Sequence, residues 1–175
     1  AGDVVVDWER YATSGPDNDF VSVQARRFEI DGTPFGNDCQ VNAYTTRGQR
    51  SAEVAKVSGG AFVVAWQSYG SYGDDVDDGA PPDRAKESVQ MRRFSADGMP
   101  LGRDFQVNTY TGNQQWYAAI SVGVGSEFVV VWESRSDDPT NYLPFGIRGQ
   151  RFEENLLFAS GFEFGHTSDW SYSNP

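Results

Sequence analysis

The 175-residue chain has a formal net charge of −11, from 14 basic and 25 acidic residues, and it is rich in glycine and aromatic residues. Such a surface repels phosphate backbones and anionic headgroups, which sets nucleic acids and lipid surfaces aside as partners. The single cysteine excludes an intrachain disulfide, and no apolar run approaches the ~20 residues of a membrane-spanning helix.

Val, Phe, Tyr, Thr and Gly dominate where a helical protein would carry Ala, Leu, Glu and Lys, so the chain reads as strands joined by turns. In chain order, a strand "VVVDWE" ends on Trp8 and returns as "FVVAWQ" at Trp66 and "FVVVWE" at Trp132. A loop follows each, then a second strand: "VSVQARRF", "ESVQMRRF" and "GIRGQRF", in which Arg27, Arg93 and Arg151 are equivalent. Turns at Asp31-Gly32 and Asp97-Gly98 lead to a third strand, "DCQVNAYT" or "DFQVNTYT". A fourth, "SAEVAKVSGG" or "AAISVGVGS", precedes the next Trp strand, so the chain is an internal repeat.

From Arg27 to Trp66 and from Arg93 to Trp132 the spacing is 39 residues, whereas from each Trp to the next Arg it is 19, 27 and 19. Constant length marks packed scaffold and variable length marks surface loops. The Trp strand is apolar at nearly every position, which predicts cover on both faces, while the Arg strand alternates. Cys39 aligns with Phe105 and reads as a core residue.

These patterns predict an all-β fold of repeated four-stranded antiparallel units, β-propeller-like, with two and a half blades in residues 1–152 (1–50, 51–116, 117–152) and a tail at 153–175. A β-sandwich of repeated hairpins is the alternative. Incomplete blades leave open sheet edges, so another protein chain, or the chain's own precursor, is expected to complete them. The tail segment "NLLFASGFEF" is a candidate for the missing last strand.

The pattern written by "GAFVVAWQS" and "VQMRRFSADGMPLGRDFQVNTYT" resembles a repeat of large secreted bacterial proteins that often also carry haemolysin-type calcium-binding segments. The ending "LLFASGFEFGHTSDWS" is similar to a C-terminal segment of exported gammaproteobacterial proteins, departing from it at Ser160 and Phe164. The resemblance implies a secreted, periplasmic or cell-surface protein. The glycine-rich nonapeptides of the haemolysin-type segments are not in this sequence.

One His and one Cys do not make a zinc site or a convincing triad, and His166 stands in the tail without an evident orienting partner. The recurring arginines Arg27, Arg93 and Arg151 suit a structural role, stacked on a neighbouring Trp or paired with a carboxylate. Asp74, Asp75, Asp77 and Asp78 in "SYGDDVDDGAPPD" are candidate calcium ligands, calcium being the only cofactor the residues suggest.

Trp116 and Tyr117 fall where the preceding unit has Arg50 and Ser51, in the link before a fourth-type strand. Propeller geometry places them on the same face as Tyr69, Tyr72, Tyr142 and Phe145. Aromatic rings beside carboxylates suit recognition of a protein or a glycan. The sequence therefore predicts a non-enzymatic binding or assembly module. A secreted carbohydrate-active hydrolase using loop carboxylates is the alternative.

Overall fold

The computed structural model describes residues 3–11, 20–70, 87–111, 113–123, 127–135, 145–153 and 156–162. The fold is all-β, in three antiparallel sheets that do not close into a barrel. Sheet 1 holds β1 (Asp3–Tyr11), β2 (Val21–Glu29) and β3 (Pro34–Gln40), in that order. Sheet 2 holds β4 (Gln49–Lys56), β5 (Phe62–Tyr69), β6 (Glu87–Phe94) and the short β7 (Phe105–Gln106). Sheet 3 holds β8 (Gln115–Val122), β9 (Phe128–Arg135), β10 (Phe145–Glu153) and β11 (Leu156–Phe162). The tail segment does supply the fourth strand, with β11 pairing along β10.

Register makes the repetition concrete. Trp8 pairs with Gln24 and Trp66 with Gln90, while Trp132 pairs with Arg148 at the same place in sheet 3. The first two second-to-third strand turns close alike: Gly32 and Gly98, both at positive φ, donate to Glu29 and Ser95. A residue with a Cβ is strained in that backbone region, which explains the Asp-Gly signal.

The Trp strand of sheet 2 is covered on both faces, as its unbroken apolar run requires. Phe62, Val64, Trp66 and Phe94 pack on Val23, Ala25 and Val41 of sheet 1. The opposite face of sheet 2, with Val63, Ala65, Val89 and Met91, packs on Phe128, Val130, Trp132 and Phe152 of sheet 3. The second contact repeats the first position for position, with Met91 where the first has Ala25, including cross-strand ring stacks of Phe62 on Phe94 (4.8 Å) and Phe128 on Phe152 (5.1 Å).

Buried polar side chains recur with the same fidelity. Oδ1 of Asn42 accepts from the Val23 amide at 2.9 Å, and Oδ1 of Asn108 accepts from the Val89 amide at 2.8 Å. Such bonds satisfy backbone groups that burial would otherwise leave unpaired. Two tethers cross from sheet 2 to sheet 1: Arg92 donates to the Val41 carbonyl at 2.9 Å, and Asp104 accepts from the Ala43 amide at 2.9 Å.

Other expectations need refinement. Cys39 is only half-buried, packed at the margin of the first joint, and burial pushes its thiol pKa up. Arg27 stacks over Phe35 at 4.7 Å rather than over a Trp, and it pairs with Asp3, which also binds Lys56. Trp8 is half-buried where Trp66 and Trp132 are fully enclosed, because among the described residues nothing packs on the outer face of sheet 1.

Candidate functional site

A cleft of about 250 Å³ opens where sheet 2 meets the first strand of sheet 3, lined by Arg50, Ser51, Gln67, Tyr69, Glu87, Trp116 and Tyr117. Alternation along β5 and β6 puts Gln67, Tyr69 and Glu87 on the face that looks toward sheet 3, with Tyr69 directly opposite Glu87 in register. The other wall is made by a backbone irregularity. Pairing slips between Trp116 and Ala119 on β8, and Tyr117 sits at φ 51°.

The same bulge occurs on β4, where pairing slips between Arg50 and Glu53 and Ser51 sits at φ 50°. A bulge adds a residue to one strand and re-aims the side chains around it. Here it leaves Tyr117 66% exposed and turns Trp116 onto its neighbours. Trp116 lies 6.0 Å from the Phe145 ring and 6.2 Å from the Tyr117 ring. Non-glycine residues at positive φ are strained, and such strain clusters at functional positions.

The polar floor of the cleft is Glu87, only 3% exposed. Its Oε1 accepts from Gln67 Nε2 at 2.8 Å and the Tyr69 hydroxyl interacts with the same carboxylate, while Glu87 Oε2 and Gln67 Oε1 make no well-formed hydrogen bond among the described residues. Burial raises the Glu87 pKa, against the opposing pull of Tyr69, Gln67 and Arg50. The Tyr69 phenol is pushed up to about 12, first by burial and then by the adjoining Glu87 carboxylate. Arg50 spans the rim between the rings of Phe20 (5.2 Å) and Tyr69 (5.9 Å), with its Nε also unpartnered.

This constellation is peculiar to one unit. The position of Glu87 is Val21 in sheet 1 and Phe145 in sheet 3, and that of Arg50 is Trp116. At the first joint the counterpart of Gln67 is Glu9, whose Oε1 is already occupied by the Ser51 amide at 2.8 Å. The scaffold residues repeat and these do not, so they are not needed to make a sheet.

Of the residues singled out in the sequence, Tyr69, Trp116 and Tyr117 line the cleft together and Phe145 stacks against its edge. Trp116 and Tyr117 stand inside β8, not in a loop before it. Tyr72, Tyr142 and the calcium candidates Asp74, Asp75, Asp77 and Asp78 lie outside the described residues. Among the described residues no cluster of His, Cys, Asp and Glu has a metal-binding arrangement. Glu87, Arg50 and Gln67 escaped sequence reasoning; the available signal was their failure to repeat.

Carboxylates also meet at the first joint, where the Asp7 pKa is raised by burial and then by Glu53, an exposed residue. Searched against models of known protein families the chain matches none, and no curated protein matches it.

Proposed function

We propose that this protein is an exported, non-enzymatic binding module of propeller-type blades, and that the cleft between sheets 2 and 3 seats a glycan. The observation that carries the reading is the pairing of unpartnered, buried hydrogen-bonding atoms with the half-buried Trp116 ring and the exposed Tyr117 ring. Glu87 Oε2 and Gln67 Oε1 lack donors and Arg50 Nε lacks an acceptor just beneath the cleft surface, and sugar hydroxyls offer both once these side chains turn outward. Trp116 and Tyr117 supply two ring faces, tilted 57° to each other, on either of which a sugar ring stacks. Blade-like stacking is supported by the two sheet-to-sheet joints, which use equivalent residues. Export rests on the resemblance to repeats of secreted bacterial proteins.

The hydrolase alternative needs two carboxylates about 5–9 Å apart across a bond to be cleaved. Among the described residues lining this cleft, Glu87 is the one carboxylate. The test is a panel of immobilised neutral and acidic oligosaccharides probed with the whole chain, alongside Trp116→Ala. Retention of defined glycans that Trp116→Ala loses, with no release of reducing sugar, supports the reading. Cleavage of a bound glycan would replace it with the hydrolase, and no retention of any glycan would remove it.

A further inference from the structure

The two internal joints show what each sheet packs against, and among the described residues the two outer sheets each keep one face uncovered. At both joints a sheet presents a Phe/Val/Trp/Phe face, as Phe62, Val64, Trp66 and Phe94 or as Phe128, Val130, Trp132 and Phe152. The preceding sheet receives it on alternating small and medium apolar residues of its second strand, Val23 and Ala25 or Val89 and Met91.

By register, the outward face of sheet 1 is the first kind of surface: Val4, Val6, Trp8 and Phe28 stand where Phe62, Val64, Trp66 and Phe94 stand in sheet 2. The outward face of sheet 3 is the second kind: Val129 stands in the place of Val63, Ile147 in the place of Val89 and the smaller Gly149 in the place of Met91. The residues they replicate are fully buried, whereas Val4 is 45%, Val6 43% and Ile147 65% exposed. Contiguous apolar faces of this kind mark association surfaces.

We infer that the outward face of sheet 3 docks on the outward face of sheet 1 of a second copy of this chain, head to tail, continuing the internal sheet-to-sheet joint between molecules. The occupant is named by the fold itself, since each exposed face matches one half of a joint the chain already makes twice. Among the described residues sheet 1 has three strands, and β1 and β2 carry the contact. A contact between different faces is heterologous, and it builds a ring or a filament according to whether its rotation closes. The inference is independent of the glycan reading, because it uses neither Glu87 nor Trp116.

Val6→Asp and Ile147→Asp each spoil one face at an exposed position, and Val4→Asp serves as a second variant for the first face. Sedimentation or light scattering of the whole chain should show particles larger than the 19.4 kDa monomer. Each variant alone, with wild-type circular dichroism, should run as a monomer. An equimolar mixture of Val6→Asp and Ile147→Asp should form a 1:1 dimer of twice the chain mass and no larger species, because each contributes one intact face. A wild-type chain that stays monomeric at high micromolar concentration would overturn the inference. So would a variant that associates like wild type, or a mixture that stays monomeric.

Discussion

The indole Nε1 of Trp66 donates to Oε1 of the fully buried Gln49 at 3.1 Å, and Trp132 donates to Gln115 in the same way at 2.9 Å. The glutamine opens the first strand of its sheet, and the tryptophan stands in the middle of the strand beside it. Each bond resolves a conflict between a large ring that belongs in the core and an N–H that must not be left there unpaired.

Replacing Gln49 by Met keeps the volume but strands the indole donor, which should cost about 1–3 kcal/mol. Trp66→Ala removes the ring as well and should cost about 3–5 kcal/mol. Trp8→Ala should cost distinctly less, since Trp8 is half-buried on an uncovered face. Urea denaturation of the three variants checks the order.

Asp38 and Asp104 hold the same place in successive units but different environments. Asp104 is buried and accepts from the Ala43 and Tyr44 amides across the first joint, whereas the Asp38 side chain is half-exposed and pairs with Arg26 at 3.2 Å. Asp104→Ala should therefore destabilise by about 1–3 kcal/mol. Asp38→Ala should change stability by about 0–1 kcal/mol, as exposed ion pairs do. Equal effects in chemical denaturation would show that the tether carries no weight.

The recurring strands, the constant spacing and the doubly covered Trp strand were legible because each face of a strand leaves its period in the sequence. What lies opposite a face leaves no such mark. The run around Trp8 reads like the one around Trp66, yet only Trp66 is enclosed. The bulges at Ser51 and Tyr117 were hidden because neither residue type favours positive φ; packing imposes it. Glu87 sits in the polar stretch "AKESV", where its carboxylate looks like loop solvation, and the register that buries it opposite Tyr69 is a tertiary fact.

Tyr117 offers a separation of stability from binding. Gly accepts its positive φ without strain, and the exposed ring contributes little burial. Tyr117→Gly should leave the melting temperature unchanged or raised while weakening glycan retention at least about tenfold, a loss equivalent to about 1.4 kcal/mol. Parallel calorimetry and binding measurements decide it.

Glu87 predicts a pH signature. Its folded-state pKa is raised, so its contribution to stability is fully present below the unfolded value and is lost as pH rises through the folded one. Glu87→Gln removes the charged form altogether. The variant should melt higher than wild type at pH 7, and the gap should narrow by about pH 4, near the ordinary glutamate value. A gap that widens on acidification would contradict the assignment of burial as the dominant cause.

The cleft beside Trp116 is the proposed ligand seat. Its most direct measurement is a titration of the ¹⁵N-labelled chain with an oligosaccharide retained in the panel, following the indole N–H signals of the five tryptophans. The Trp116 signal should shift in a saturable manner while those of Trp66 and Trp132, enclosed and held by Gln49 and Gln115, stay in place. Saturable binding that leaves the Trp116 signal unmoved would contradict it.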